Sequence, residues 1–114
     1  MLIGVGLDGH VGSLYPDSRA VKEQKLVVIP VVKPTSSSIT LSLPTMLASK
    51  NIVIGTGGTS KKYPLGKAEC MVKAIESDPE TINSYPAVAF RNRAKWLIDE
   101  GAAALLKGSY QKDN

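Results

Sequence analysis

The sequence predicts an α/β fold organised around a mainly parallel sheet, and three observations carry that expectation. The β-branched runs Leu26–Val32 (LVVIPVV) and Asn51–Gly55 (NIVIG) have the length and composition of strands. Gly66–Glu76 instead shows helical spacing, with Ala68, Met71, Val72 and Ile75 recurring on one face. Segments of the two kinds alternate along the chain, the pattern of parallel strands joined by crossovers.

From the N-terminus, Leu2–Gly6 is a short buried-type strand that runs into a loop or helical turn over Asp8–Arg19. Leu26–Val32 follows as a strand that Pro30 assigns to an edge or a bulge. Lys33–Ser37 is a turn or loop. Ser38–Leu43 alternates polar and apolar, which puts Ile39, Leu41 and Leu43 on one face. Pro44 suits the first turn of a short helix, Thr45–Ser49. The strand Asn51–Gly55 exits into a flexible stretch, Thr56–Pro64, containing Gly57-Gly58 and Lys61-Lys62. After the helix Gly66–Glu76, a polar connection over Asp78–Ser84 leads to a turn at Tyr85-Pro86, where the proline keeps Tyr85 extended. Ala94–Ile98 fits either a strand or the first turns of a helix. Asp99 is an N-cap for a helix over Glu100–Lys107, and the polar tail Gly108–Asn114 is expected to fray.

At 114 residues the chain is long enough for one domain with a core and too short for two. With 43% apolar and 21% charged residues it belongs with soluble globular proteins rather than disordered ones. Parallel sheets normally have both faces covered, and with four or five short strands and two convincing helices one face is expected to lack helical cover. Met1 also leads directly onto a glycine-rich strand that reads as central. The expectation is a single partial domain over 1–114, the C-terminal half of a larger one. The exposed edge of such a half-sheet is a surface for self-association, or for a missing N-terminal half.

No apolar run approaches the ~20 residues that span a bilayer, so no membrane partner is expected. The first residues lack the basic-then-apolar pattern of a leader, which makes a cytoplasmic location the default. Cys70 is the sole cysteine, so the chain has no internal disulfide and no thiolate metal site. It lies in the apolar-patterned stretch Ala68–Ile75 and reads as a small buried hydrophobe. The formal net charge of +4 fits an anionic ligand. The cations are scattered and few aromatics lie among them, so nucleic acid is not an expected partner.

The chemistry concentrates in the first residues. Gly4, Gly6 and Gly9 punctuate a turn at the exit of the first strand, the place where α/β sheets bind ligands. That turn holds Asp8 and the only histidine of the chain, His10. Histidine's unperturbed pKa near ~6.5 leaves the side chain largely proton-accepting at pH 7, which suits a general base. The bland alternative is a structural histidine that satisfies loop backbone groups. The backbone N–H groups of Gly6, Leu7 and Gly9 face an oxyanion or hydroxyl if the turn aims them outward. Otherwise the glycines serve only to permit the turn.

Gly4 to Pro16 carries G-x-G-x-D-G-H-x-x-S-L-Y-P, which resembles the active-site signature of 6-phosphogluconolactonases. Four further segments follow in the family's order. Val31–Leu43 is similar to a Lys-Pro turn leading into an ITLTLP strand, with Ile39 to Pro44 matching it nearly position for position. Gly66-Lys67-Ala68-Glu69 resembles a G-x-x-K helix start, preceded here by a glycine-rich insertion. Tyr85-Pro86-Ala87 stands where the family has Leu-Pro-Ala, and Lys95–Ala103 resembles its closing W-F-L-D-x-A-A.

The resemblance implies a Rossmann-like parallel sheet flanked by helices. It also implies hydrolysis of 6-phospho-D-glucono-1,5-lactone to 6-phosphogluconate in the oxidative pentose phosphate pathway, without metal or organic cofactor. His10 would be the general base and Asp8 the residue that orients the imidazole or the substrate. Lys67 would bind the substrate phosphate at the N-terminus of a helix, with Lys61 and Lys62 as rivals. Lys33, in the Lys-Pro turn, is either near the site or a surface residue. Ser38 stands where the family often has arginine, and Trp96 and Ile98 read as core. The wider superfamily includes glucosamine-6-phosphate deaminases, whose D-G-H turn continues I-A-F-N-E-P rather than V-G-S-L-Y-P. A deaminase-type enzyme and a non-catalytic sugar-phosphate-binding fragment are therefore the alternatives.

Overall fold

A computed structural model describes residues 1–57, 66–76 and 79–108 of the chain. Three parallel strands form its sheet, in the order β1 (Leu2–Ile3), β4 (Val53–Thr56), β5 (Lys95–Ile98). Leu2 pairs with Val53 and Ile3 with Ile54. Ile54 pairs in turn with Trp96, and Thr56 with Ile98. Ala94–Ile98 is thus resolved in favour of a strand, and the alternation of the sequence does produce a parallel sheet.

Two expectations about the first strand are corrected. It stops at Ile3 rather than Gly6, because the Gly6 N–H donates to the His10 carbonyl (2.9 Å) and curls the chain away from the sheet. It also lies at the end of the strand order rather than at its centre. The central strand is β4, whose Ile54 is fully buried.

The segment between β1 and β4 leaves the sheet. Val28–Val32 (β2) and Ser37–Leu41 (β3) form a separate antiparallel hairpin, with Pro30 opposite Ile39. Leu26 and Val27 precede the strand and are exposed. A turn closes the hairpin through reciprocal backbone hydrogen bonds between Lys33 and Ser36. Of the three apolar residues expected on one face, Leu43 is buried and Leu41 half-buried, but Ile39 is not. Ile39 points outward at 74% exposure, whereas Thr40 is buried. The Thr40 hydroxyl donates to the Leu41 carbonyl (2.9 Å), which satisfies the polar group that burial would otherwise penalise. Ser42 is buried as well. It is the N-cap of α1 (Leu43–Leu47), accepting from the Thr45 N–H, with Pro44 in the first turn.

Helix α2 (Ala68–Met71) continues as a widened π-helical turn over Val72–Glu76. Arg91 donates from Nε to the Ala74 carbonyl (3.0 Å) and from its terminal nitrogen to the Lys73 carbonyl (3.1 Å), satisfying acceptors of that turn. A 3₁₀ turn, Pro86–Phe90, precedes β5. Helix α3 is capped by Asp99 as expected but spans only Glu100–Ala103. Its extension to Lys107 does not occur, since the N–H groups of Lys107 and Gly108 donate to the Glu76 carboxylate (2.9 and 2.6 Å).

Helices α2 and α3 pack together, and α3 touches β5. The core gathers Ile3, Val5, Val11, Leu14, Ile54, Met71 and Phe90, with Trp96 and Ile98 packed against it. Each large side chain buried there contributes about 1.5–3 kcal/mol relative to exposure. No helix among the described residues is long and apolar enough to cross a membrane. The tail from residue 109 onward lies outside the described residues.

Candidate active site

All three parallel strands run toward the same edge of the sheet, and the first strand there opens into the loop 4–15. Crossing back to that edge, Gly57 and Asp99 follow β4 and β5. A Cβ on Gly57 would lie 2.7 Å from the Asp99 carboxylate, so the two strand exits touch. Ligands of open α/β sheets bind at this edge.

The loop is held by its own backbone and by what lies beneath it. The Gly9 N–H donates to the Gly6 carbonyl (3.0 Å), while the Gly6 N–H donates to that of His10 (2.9 Å). Both groups therefore close the turn instead of facing outward. Of the three N–H groups expected to meet an oxyanion, that of Leu7 is the one these two bonds leave out. Gly9 has φ +87°, and a Cβ there would lie 2.5 Å from the Tyr85 ring, so glycine is required twice over. Below the loop, the Tyr85 hydroxyl donates to the Leu7 carbonyl (3.1 Å) and the Cys70 thiol to the Gly6 carbonyl (3.2 Å). Burial pushes both of these groups above their ordinary pKa values and so keeps them protonated donors. Cys70 is thus the buried residue its pattern suggests, with a positional task in addition.

Asp8 and His10 meet at the top of the loop, with Oδ1 of Asp8 2.5 Å from Nδ1 of His10. The same oxygen accepts from the His10 backbone N–H at 3.1 Å. Partial burial acts to raise the Asp8 pKa, yet the hydrogen bonds from His10 outweigh it and hold the carboxyl below its usual value. An ionised carboxylate can only accept, so the imidazole must donate from Nδ1. That fixes the tautomer and leaves Nε2 with the lone pair. Gly6 supplies the room. A Cβ at that position would lie 2.1 Å from Cε1 of His10, inside the space the ring occupies.

The two lysines reach the loop differently. Lys67, immediately before α2, donates from Nζ to the Val5 carbonyl, which brings its ammonium under the same backbone that supports His10. Lys33, in the hairpin turn, stands 3.6 Å above the centroid of the Tyr15 ring. That ring lies 4.7 Å from the His10 ring, so Lys33 is near the site and not merely on the surface. The Ser38 hydroxyl donates to that of Ser13 (2.8 Å), a second tie between hairpin and loop. Lys61 and Lys62 lie outside the described residues. Tyr15, Cys70 and Tyr85 are site residues that sequence reasoning did not assign. For Tyr15 a signal existed in its place five residues after His10, on the same loop. For Tyr85 the signal was the glycine whose missing side chain makes room for it. Among the described residues, no three His, Cys, Asp or Glu side chains gather in a way that could hold a metal ion.

Fold and site together define an α/β protein with a histidine–carboxylate pair on the loop that leaves the first strand of a parallel sheet. Residues 1–98 match the family of glucosamine-6-phosphate isomerases/6-phosphogluconolactonase, and the chain belongs to that family. It is 31% identical over 118 residues to the 6-phosphogluconolactonase of Homo sapiens, covering 98% of this chain and 43% of that protein. Identity to the 6-phosphogluconolactonase of Mycobacterium tuberculosis is 37% over 109 residues, or 92% of this chain and 41% of that one. The solved structure of 6-phosphogluconolactonase from Trypanosoma brucei is similar with a TM-score of 0.66 at 30% identity, over 92% of this chain and 41% of that one. The chain therefore spans less than half the length of these relatives.

Proposed function

We propose that the chain carries the general-base portion of a 6-phosphogluconolactonase, an ester hydrolase acting on 6-phospho-D-glucono-1,5-lactone. The observation that carries this reading is the Asp8–His10 pair, in which the carboxylate binds Nδ1 and leaves Nε2 basic. Nε2 of His10 takes a proton from water as the water oxygen bonds to the lactone carbonyl carbon. The tetrahedral oxyanion then collapses, the bond from carbon to ring oxygen breaks, and the imidazolium returns its proton to that oxygen. The product is 6-phosphogluconate. Asp8 stabilises the imidazolium while it exists, as the buried carboxylate of a serine-protease triad does.

Lys67 is the cation for the substrate phosphate. One of its three N–H bonds goes to the Val5 carbonyl, and the others remain for phosphate oxygens. Lys33 adds positive charge on the hairpin side of the loop, where it draws an anionic sugar toward His10. The Leu7 N–H is the backbone donor for the oxyanion. The reading includes a cytoplasmic enzyme of the oxidative pentose phosphate pathway. A glucosamine-6-phosphate deaminase is less well supported, because this loop continues V-G-S-L-Y-P.

The deciding measurement is 6-phosphogluconate formation from freshly generated lactone, compared with spontaneous hydrolysis. Lactonase activity above background, abolished in His10→Ala, is the expected result. Hydrolysis at the spontaneous rate in both proteins, with 6-phosphogluconate still bound, would replace this reading by a non-catalytic sugar-phosphate-binding one.

A further inference from the structure

The imidazole donates one side-chain hydrogen bond, from Nδ1 to the Asp8 carboxylate, and that bond alone leaves the plane of the ring free to turn. The pair is partly open to water, with His10 at 33% and Asp8 at 52% side-chain exposure. A ring held by one bond at Nδ1 can still pivot about that bond, and Nε2 sweeps through an arc as it does. Gly6 crowds the ring from the backbone side and limits the pivot there. A further contact is Tyr15, whose ring lies 4.7 Å from the imidazole at an interplanar angle of 34°. Tyr15 is itself restrained. Its carbonyl accepts from the Ser18 N–H (3.2 Å), and the Lys33 ammonium sits over its ring at 3.6 Å. Both distances fall within the ranges at which aromatic pairs and cation–π contacts are attractive.

We infer that Tyr15 is a positioning residue for His10. Its ring fixes the plane of the imidazole, Asp8 fixes its tautomer, and Lys33 fixes the ring of Tyr15. Lys33 thereby has a structural task besides its charge. The contribution to turnover rests on the lactonase reading above, whereas the contact itself does not. The aromatic ring carries this role, so phenylalanine should preserve it and an aliphatic residue should not.

His10 is the only histidine of the chain, so its imidazole gives one set of nuclear magnetic resonance signals. Ring protons of Tyr15 and His10 should show a mutual Overhauser effect in the unaltered protein, a readout that needs no variant to fold. Imidazole ¹⁵N shifts should report the form protonated at Nδ1 in the unaltered chain, in Tyr15→Phe and in Tyr15→Leu, because Asp8 is present in each. Order parameters of the imidazole C–H groups should be high in the unaltered chain and in Tyr15→Phe and should fall in Tyr15→Leu, where the plane of the ring is no longer held. In the lactone assay Tyr15→Leu should lower kcat about tenfold to a hundredfold with KM little changed, and Tyr15→Phe should restore it. Absence of the Overhauser effect, or unchanged imidazole order parameters in a folded Tyr15→Leu protein, would overturn the assignment. Hydrolysis without this signature would sink the role of Tyr15 and leave the lactonase reading standing. The signature without hydrolysis would support the positioning and count against the lactonase.

Discussion

Replacing Gly9 with alanine tests the loop where its geometry is most demanding. At φ +87° an alanine pays the steric cost of left-handed backbone, roughly 1–2 kcal/mol. Its Cβ would also stand 2.5–2.6 Å from three carbons of the Tyr85 ring. Tyr85 cannot swing aside easily, because it is only 4% exposed and its hydroxyl is bonded to the Leu7 carbonyl. Overpacking of this kind costs about 1–3 kcal/mol. Together the two effects predict a loss of about 2–5 kcal/mol. For a chain of 114 residues that lowers Tm by roughly 8–20 °C. Thermal and urea unfolding, followed by circular dichroism and by the fluorescence of the sole tryptophan, Trp96, will measure it. Gly4→Ala is the matched control in the same loop, since a Cβ there meets nothing within 4 Å and its φ is not in the left-handed region. It should leave Tm within about 3 °C, or raise it slightly by restricting the unfolded chain. A Gly9→Ala protein as stable as Gly4→Ala would refute the packing of loop against Tyr85.

Gly6→Ala should act on chemistry more than on stability. Its Cβ takes space from the His10 ring, a movable side chain, so turnover should fall about a hundredfold while Tm changes little; steady-state assay beside thermal unfolding checks both. Asp8→Asn should reduce kcat by about two to four orders of magnitude by removing the carboxylate that selects the tautomer. The same residue sets a pH dependence. Its native pKa is lowered, so the stabilisation it gives is present above its unfolded pKa near ~3.9 and disappears as pH falls through the native value. Unfolding between about pH 5 and pH 2 should therefore show a loss in the unaltered chain that Asp8→Asn lacks. Cys70 should resist thiol reagents in the folded protein, because it is buried and its pKa is raised. Rapid labelling without denaturant would contradict that burial.

Much of this was legible in the sequence, and the limits have physical causes. A β-branched run identified β4, whereas Ala94–Ile98, with one β-branched residue, reads equally as strand or helix, and the Asp99 cap emerged where its side chain predicts. Alternation in Ser38–Leu43 showed that two faces exist but not which one is buried. Burial is mixed: Thr40 and Ser42 are buried with their hydroxyls hydrogen-bonded, and Leu43 is buried while Ile39 is exposed. The end of α3 was hidden because it depends on Glu76, a residue 31 positions earlier than Lys107. In the site, glycine punctuation pointed to Asp8 and His10 directly. The environment of Lys33 was not readable, since the cation over Tyr15 exists only once the hairpin has folded back on the loop.

The bonds beneath the loop have a consequence for when the site comes into being. Lys67, Cys70 and Tyr85 reach it across 62, 64 and 78 residues of chain. A ribosome delivers residue 10 before Lys67, Cys70 and Tyr85, so the supports for its geometry emerge well after the loop itself. Closing such long loops is entropically disfavoured until the intervening elements have formed. The loop should therefore acquire its native arrangement late relative to its own synthesis, and a newly made chain should remain without its ordered Asp8–His10 pair until Tyr85 has docked.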